Sequence, residues 1–149
     1  MQPYDERLTA PRSWWLTLPT LSGLTLGLVL LPLGPLPMLA ALVAGSALAG
    51  AGLSAYGSLR VRVVAGSLVA GSARIPLEAL GEAWVLDAEE ARAWRTHKAD
   101  PRAFMVLRAY VPTAVRIEVT DPQDPTPYVY VSTRRPQRLV SVLSASRAG

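Results

Sequence analysis

The sequence predicts an α+β membrane protein, in which an N-terminal two-helix transmembrane hairpin precedes a small antiparallel β domain closed by a C-terminal helix. Three observations carry this. Between Arg12 and Arg60 no charged residue occurs for 47 consecutive positions, Ser13 to Leu59. A proline- and glycine-rich break falls inside that stretch. Past Leu59 the pattern switches to apolar residues alternating with arginine.

A bilayer core takes roughly 20 apolar residues per helix, so the uncharged stretch holds two spans and a tight turn. The turn is Pro32-Leu33-Gly34-Pro35-Leu36-Pro37. Proline lacks a backbone donor and clashes with the preceding turn, so it ends one helix and starts another. Residues 14–58 are therefore read as the hairpin, with spans at about 15–33 and 36–56. Residues 1–13 are read as a cytoplasmic N-terminal segment and 59–149 as a soluble cytoplasmic β-rich domain. The first span is leucine-rich; Thr17, Thr20, Ser22 and Thr25 can bond carbonyls within the helix. The second span is richer in alanine and glycine. Gly23 and Gly27 form a GxxxG spacing, and Gly45 with Ala49 gives a small-xxx-small partner, a pattern that lets helix backbones approach in lipid. Glycine and alanine are also common here in general. The stretch is too long for the 7–15-residue core of a signal peptide.

The flanks set an expected orientation. Arg7 and Arg12 precede the first span, Arg60, Arg62 and Arg74 follow the second, and the turn between carries no positive charge. The positive-inside rule places both termini on the cytoplasmic side of a plasma membrane crossed twice. Trp14, Trp15 and Tyr56 fall where interfacial anchors belong.

In the β domain, Leu59, Val61 and Val63 alternate with Arg60 and Arg62, the period of a half-buried strand. Ala65-Gly66-Ser67 and Gly71-Ser72 read as turns around a short return strand. Arg74–Leu77 and 81–86 read as further extended pieces, with Pro76 suited to an edge. Asp87 can cap a short helix to Arg95, with Glu90 three residues on as its capping-box partner. Strands follow at 103–109, 114–120 and 128–133, the last two joined by Asp121-Pro122-Gln123-Asp124-Pro125-Thr126-Pro127. Pro136 suits a first helical position, and Leu139, Val140, Val142 and Leu143 stripe a helix to about Ser146.

These features resemble the actinobacterial domain-of-unknown-function 3093 family over almost the whole chain. The resemblance is carried by Tyr4-Asp5-Glu6-Arg7-Leu8, Leu77-Glu78-Ala79-Leu80-Gly81, Ala99-Asp100-Pro101-Arg102-Ala103-Phe104, Thr113-Ala114-Val115-Arg116, Thr120-Asp121-Pro122, Asp124-Pro125-Thr126-Pro127-Tyr128 and Val131-Ser132-Thr133-Arg134-Arg135-Pro136. It implies the two-span topology and no assigned activity. The β part is similar to bacterial pleckstrin-homology-like domains, an analogy of fold alone.

The chemistry is sparse. With no cysteine, disulfides, thiolate metal sites and cysteine nucleophiles are excluded. His97 is the sole histidine, in the polar loop Arg95-Thr96-His97-Lys98, and no second ligand lies at metal-site spacing. Asp121 and Asp124 read as turn residues, and Ser67, Ser72, Ser132 and Ser141 have no neighbouring base. No catalytic residue, metal or cofactor is expected. The net charge is +4, and Lys98 is the single lysine. Arg60, Arg62, Arg134 and Arg135 form the candidate patch for lipid or partner; the same arginines also serve topology and solubility. The expected function is a non-enzymatic, membrane-anchored interaction or assembly domain at the cytoplasmic face. It would use the lipid bilayer and a membrane protein of unknown identity as partners, and no nucleic acid. Anionic lipid sensing and an enzyme with an unrecognised site are the alternatives.

Overall fold

A computed structural model describes residues 3–149. The chain starts with strand β1 (Tyr4–Arg7) and then enters helix α1 (Arg12–Leu30), which tightens into one 3₁₀ turn at Leu31–Leu33. Gly34 adopts φ +110°, a conformation that a side chain would strain. Pro35 then opens helix α2 (Pro35–Tyr56), its fixed φ being ready for a first turn. Pro19 sits two turns into α1, where it leaves the carbonyl of Trp15 without its helical donor. Both helices, Arg12–Leu33 and Pro35–Tyr56, are long and apolar enough to cross a membrane.

The two helices form one compact unit, Thr9–Leu59. The contact between them is made by small residues. Gly23, Gly27, Ala41 and Gly45 are buried, whereas Leu16, Leu28, Leu36 and Leu48 are each at least 70% exposed. The outer surface of the hairpin is thus almost wholly apolar side chain.

The second unit joins the N-terminal segment through Leu8 to Arg60–Gly149. Its first sheet runs β1-β2-β3-β4, with β2 (Arg60–Val64), β3 (Ser67–Ala70) and β4 (Ala73–Pro76), all antiparallel. Ala65 and Gly66 turn the β2–β3 hairpin with φ 49° and 69°, the two positive angles that a two-residue type I′ turn needs. The second sheet has the order β5-β7-β8-β6, from β5 (Leu80–Leu86), β6 (Phe104–Val106), β7 (Ala114–Val119) and β8 (Tyr128–Ser132). Helix α3 (Ala88–Trp94) is capped as expected: Asp87 Oδ1 accepts from the Glu90 amide at 2.8 Å. Helix α4 (Pro136–Ala148) lays Pro136, Leu139, Val142 and Leu143 against β5, β7 and the helical turn Leu77–Ala79. Burying each large aliphatic side chain there stabilises the unit by about 1.5–3 kcal/mol.

Three expectations are corrected. The segment before the hairpin is not separate from the β domain: Tyr4–Arg7 is a sheet strand, in register with Arg60–Val63 across the inserted hairpin. The strands do not form one antiparallel set but two sheets, and β6 runs parallel to β8. The strand expected over 103–109 is only Phe104–Val106. Pairing partners of β1 and β6 lie far off in sequence, so local alternation could not reveal them.

Candidate functional site

The most connected polar cluster lies where β1 meets the segment before α4. Along β1 the side chains alternate, with Tyr4 and Glu6 buried and Asp5 and Arg7 exposed. Glu6 is 8% exposed, and hydrogen-bond donors surround its carboxyl group. Tyr4 Oη donates to Glu6 Oε2 at 2.6 Å, Thr133 Oγ1 donates to the same oxygen, and the Arg134 amide donates to Oε1 at 3.0 Å. Thr133 Oγ1 in turn accepts from the Arg135 amide at 3.0 Å. Burial, with the Glu6 carboxylate close by, pushes the Tyr4 phenol well above its ordinary value, so it stays a donor.

The cluster is braced on both sides. Thr113 and Thr133 exchange two bonds, the Thr133 amide to the Thr113 carbonyl at 3.1 Å and Thr113 Oγ1 to the Thr133 carbonyl at 2.6 Å. Tyr110 Oη donates to the Leu8 carbonyl at 2.7 Å, and the Arg134 guanidinium lies 5.8 Å from the Tyr110 ring centre. The network therefore fastens residues that precede the helical hairpin to residues more than 120 positions later.

The candidate arginine patch divides. On β2, Arg60 is exposed and Arg62 half-buried, both on the face opposite Val61 and Val63. Arg134 and Arg135 are exposed, but their backbone amides bind the Glu6 cluster on the buried side of β1. Strand alternation thus separates the two pairs. What joins Arg60 and Arg62 instead is Arg7, directly opposite Arg60, and Arg74, opposite Val69, which is itself opposite Arg62.

A third constellation was not anticipated from the sequence. The Arg116 guanidinium lies 4.1 Å from the Trp84 ring centre, 4.4 Å from Trp94 and 5.9 Å from Tyr128. Trp94 meets Tyr128 edge-on at 5.3 Å. This cation–π box ties α3 to β5, β7 and β8. Alternation placed Arg116 on the polar face of its strand, but nothing local shows which aromatic rings cover it.

The remaining expected residues fall as follows. A Cβ on Gly23 would overlap Ser46 Oγ, and one on Gly45 would lie 3.0 Å from the Ser22 carbonyl. On Gly27 the nearest atom would be 3.5 Å away. Ala49 is only half-buried, and Ala41, one turn before Gly45, is buried together with Gly45. Trp14 and Tyr56 are half-buried and Trp15 is 45% exposed. His97 is exposed beside an open cleft with Glu89, Arg92 and Lys98, its Nδ1 3.4 Å from Thr96 Oγ1. Asp121 and Asp124 accept from the amides two residues on, both at 2.9 Å, as turn aspartates do. Among the described residues no three histidine, cysteine or acidic side chains cluster closely enough to hold a metal.

A model of the family described as Protein of unknown function (DUF3093) matches residues 3–143. No curated protein and no solved structure matches the chain.

Proposed function

Given that the chain belongs to the DUF3093 family, whose function is not known, we propose its role from the structure: it is a two-span plasma-membrane protein that holds a non-enzymatic interaction domain at the cytoplasmic face. The observation that carries this is the place of the hairpin. It is inserted between β1 and β2, two neighbouring strands hydrogen-bonded along their length. Both chain ends of the hairpin therefore return to one sheet, which a pair of antiparallel spans requires and a single crossing forbids. The outward leucines support insertion, since roughly 22 residues at 1.5 Å each match a hydrocarbon core of about 30 Å. A soluble hairpin of this kind would leave that apolar surface in water.

The interaction role rests on the two four-stranded sheets closed by α4, which we read as pleckstrin-homology-like. It rests also on the use of the buried acid and hydroxyls for bracing rather than for reactivity. With no cysteine in the chain, single-cysteine variants report topology cleanly. The protein is expected to stay in the pellet after alkaline carbonate extraction. S141C, on the exposed side of α4, is expected to react with a membrane-impermeant maleimide only after the cells are opened, and L36C at the turn in intact cells. A protein found in the aqueous supernatant without detergent, or S141C labelled in intact cells, would overturn the reading.

A further inference from the structure

We propose that the exposed face of the first sheet is a binding platform for the head groups of anionic phospholipids; the idea rests on the membrane reading above. Four arginines stand on that face: Arg7, Arg60, Arg62 and Arg74. Asp5, opposite Arg62, is the one acid among the described strand residues of that face. Arg7 and Arg60 are a directly opposed cross-strand pair. Like charges in that position destabilise a sheet, so an apo fold gains nothing from the arrangement. An anion placed between them reverses the sign of the interaction.

Four arginines against one aspartate leave the strands of this face with a positive excess. Among the described residues the ion pair found is Arg102 with Asp100, on the other sheet's loops. Arg62 Nε is shielded from water and has no hydrogen-bond partner. Guanidinium groups bind phosphate oxygens two at a time, which suits a phosphodiester better than ammonium groups would.

Lipid is favoured as the source of that phosphate on three grounds. First, Arg60 lies four residues beyond the last residue of α2 and Arg7 five before the first of α1. At 3.3–3.6 Å per residue the chain can carry neither more than about 18 Å from a helix end, close to the head-group layer of the leaflet that the hairpin leaves. Second, the face is a sheet surface with apolar patches beside the charges: Val64 is 46% exposed, and Val69 lies between Arg62 and Arg74 in register. Such a mixed surface fits the glycerol and ester level of a bilayer. Third, an anionic leaflet attracts each nearby basic residue, and four act together.

The test uses the full chain in neutral detergent. Dioctanoyl phosphatidylglycerol, dioctanoyl phosphatidylcholine and inorganic phosphate are titrated in turn, with melting temperature and saturable binding as readouts. Phosphatidylglycerol is expected to bind saturably and raise the melting temperature, with an affinity that falls as salt rises. The other two are expected to do neither at the same concentrations. The variant R60Q/R62Q/R74Q is expected to melt no lower than the parent without lipid, because the opposed Arg7–Arg60 charge is relieved, and to bind phosphatidylglycerol at least tenfold more weakly. Should the triple variant be poorly folded, R74Q at the edge strand alone is expected to weaken binding severalfold. Equal binding of phosphatidylcholine, full competition by inorganic phosphate, or variants within twofold of the parent would each overturn the proposal. Carbonate extraction of the same variants reads the hairpin separately: they are expected to pellet like the parent, so a loss of membrane insertion is seen as such.

Discussion

Replacing Glu6 with alanine removes the acceptor of three donors at once, and the structure sets the size of the effect. The Tyr4 and Thr133 hydroxyls lie 2.9 Å apart, so in E6A one can donate to the other. The Arg134 amide has no such recourse and loses its acceptor in a partly buried place. A donor left without a partner costs about 1–3 kcal/mol, and bonds to a charged acceptor are worth about 1.5–3 kcal/mol each. Allowing for the rescued hydroxyl pair, E6A is expected to lose about 3–5 kcal/mol. A domain of this size shifts by about 4–8 °C per kcal/mol, so melting should fall by at least about 12 °C. E6Q keeps one acceptor oxygen and is expected to lose less than half as much. D5A, one residue away and exposed, is the control; it gives up only the cross-strand pairing with Arg62 and should stay within about 1 kcal/mol of the parent. The assay is thermal unfolding of the detergent-purified chain, followed by the near-ultraviolet signal of Trp84 and Trp94, which lie in the same unit. If E6A melted within about 3 °C of D5A, the claim that this carboxylate fastens β1 to the α4 approach would be wrong.

Four further outcomes follow from other parts of the molecule. The Tyr4 and Tyr130 phenols are pushed up, in both cases mainly by burial, so the folded state favours the protonated forms. Their contribution is complete below the unfolded value of about 10 and is lost as pH rises through the folded values; absorbance titration near 295 nm should show late-ionising phenols, with smaller late amplitude in Y4F. R116A is expected to lose about 1–3 kcal/mol and to change tryptophan emission, with R116K recovering only part, because an ammonium cannot stack between Trp84 and Trp94 as a planar group does; unchanged emission in R116A would contradict the box. In the hairpin, G23A forces Ser46 and the Leu42 carbonyl aside and is expected to cost about 1–3 kcal/mol, whereas G27A meets only ordinary contacts and should be neutral or slightly stabilising, as read by melting in detergent. Residues 60–149 expressed without β1 should be markedly less protected from proteolysis than the same unit in the full chain, since the β2 edge and the Glu6 donors are left open.

The candidate site was only partly legible. That Arg60 and Arg62 share the face opposite Val61 and Val63 is legible, because a period of two is a local property of β2. Their companions Arg7 and Arg74 become neighbours only through strand register. Arg134 and Arg135 stand next to each other in sequence and seemed part of the same patch. Thr133 and Glu6 hold their backbone on the other side of β1. The burial of Glu6 has no local signature, since a buried carboxylate is recognised by its donors and two of the three come from residues 133 and 134.

The sequence by itself determined the two apolar helices, the break at Gly34, the Asp87 cap and the start of α4 at Pro136, because these depend on composition and on neighbours a few positions apart. The tertiary structure alone decided that β1 completes the first sheet across the hairpin, that β6 runs parallel to β8, that Arg116 lies in an aromatic box, and that Arg7 opposes Arg60. Each of these is a contact between distant segments. Its free energy exists only after the chain has closed the intervening loop, so no short window of residues can carry its signature.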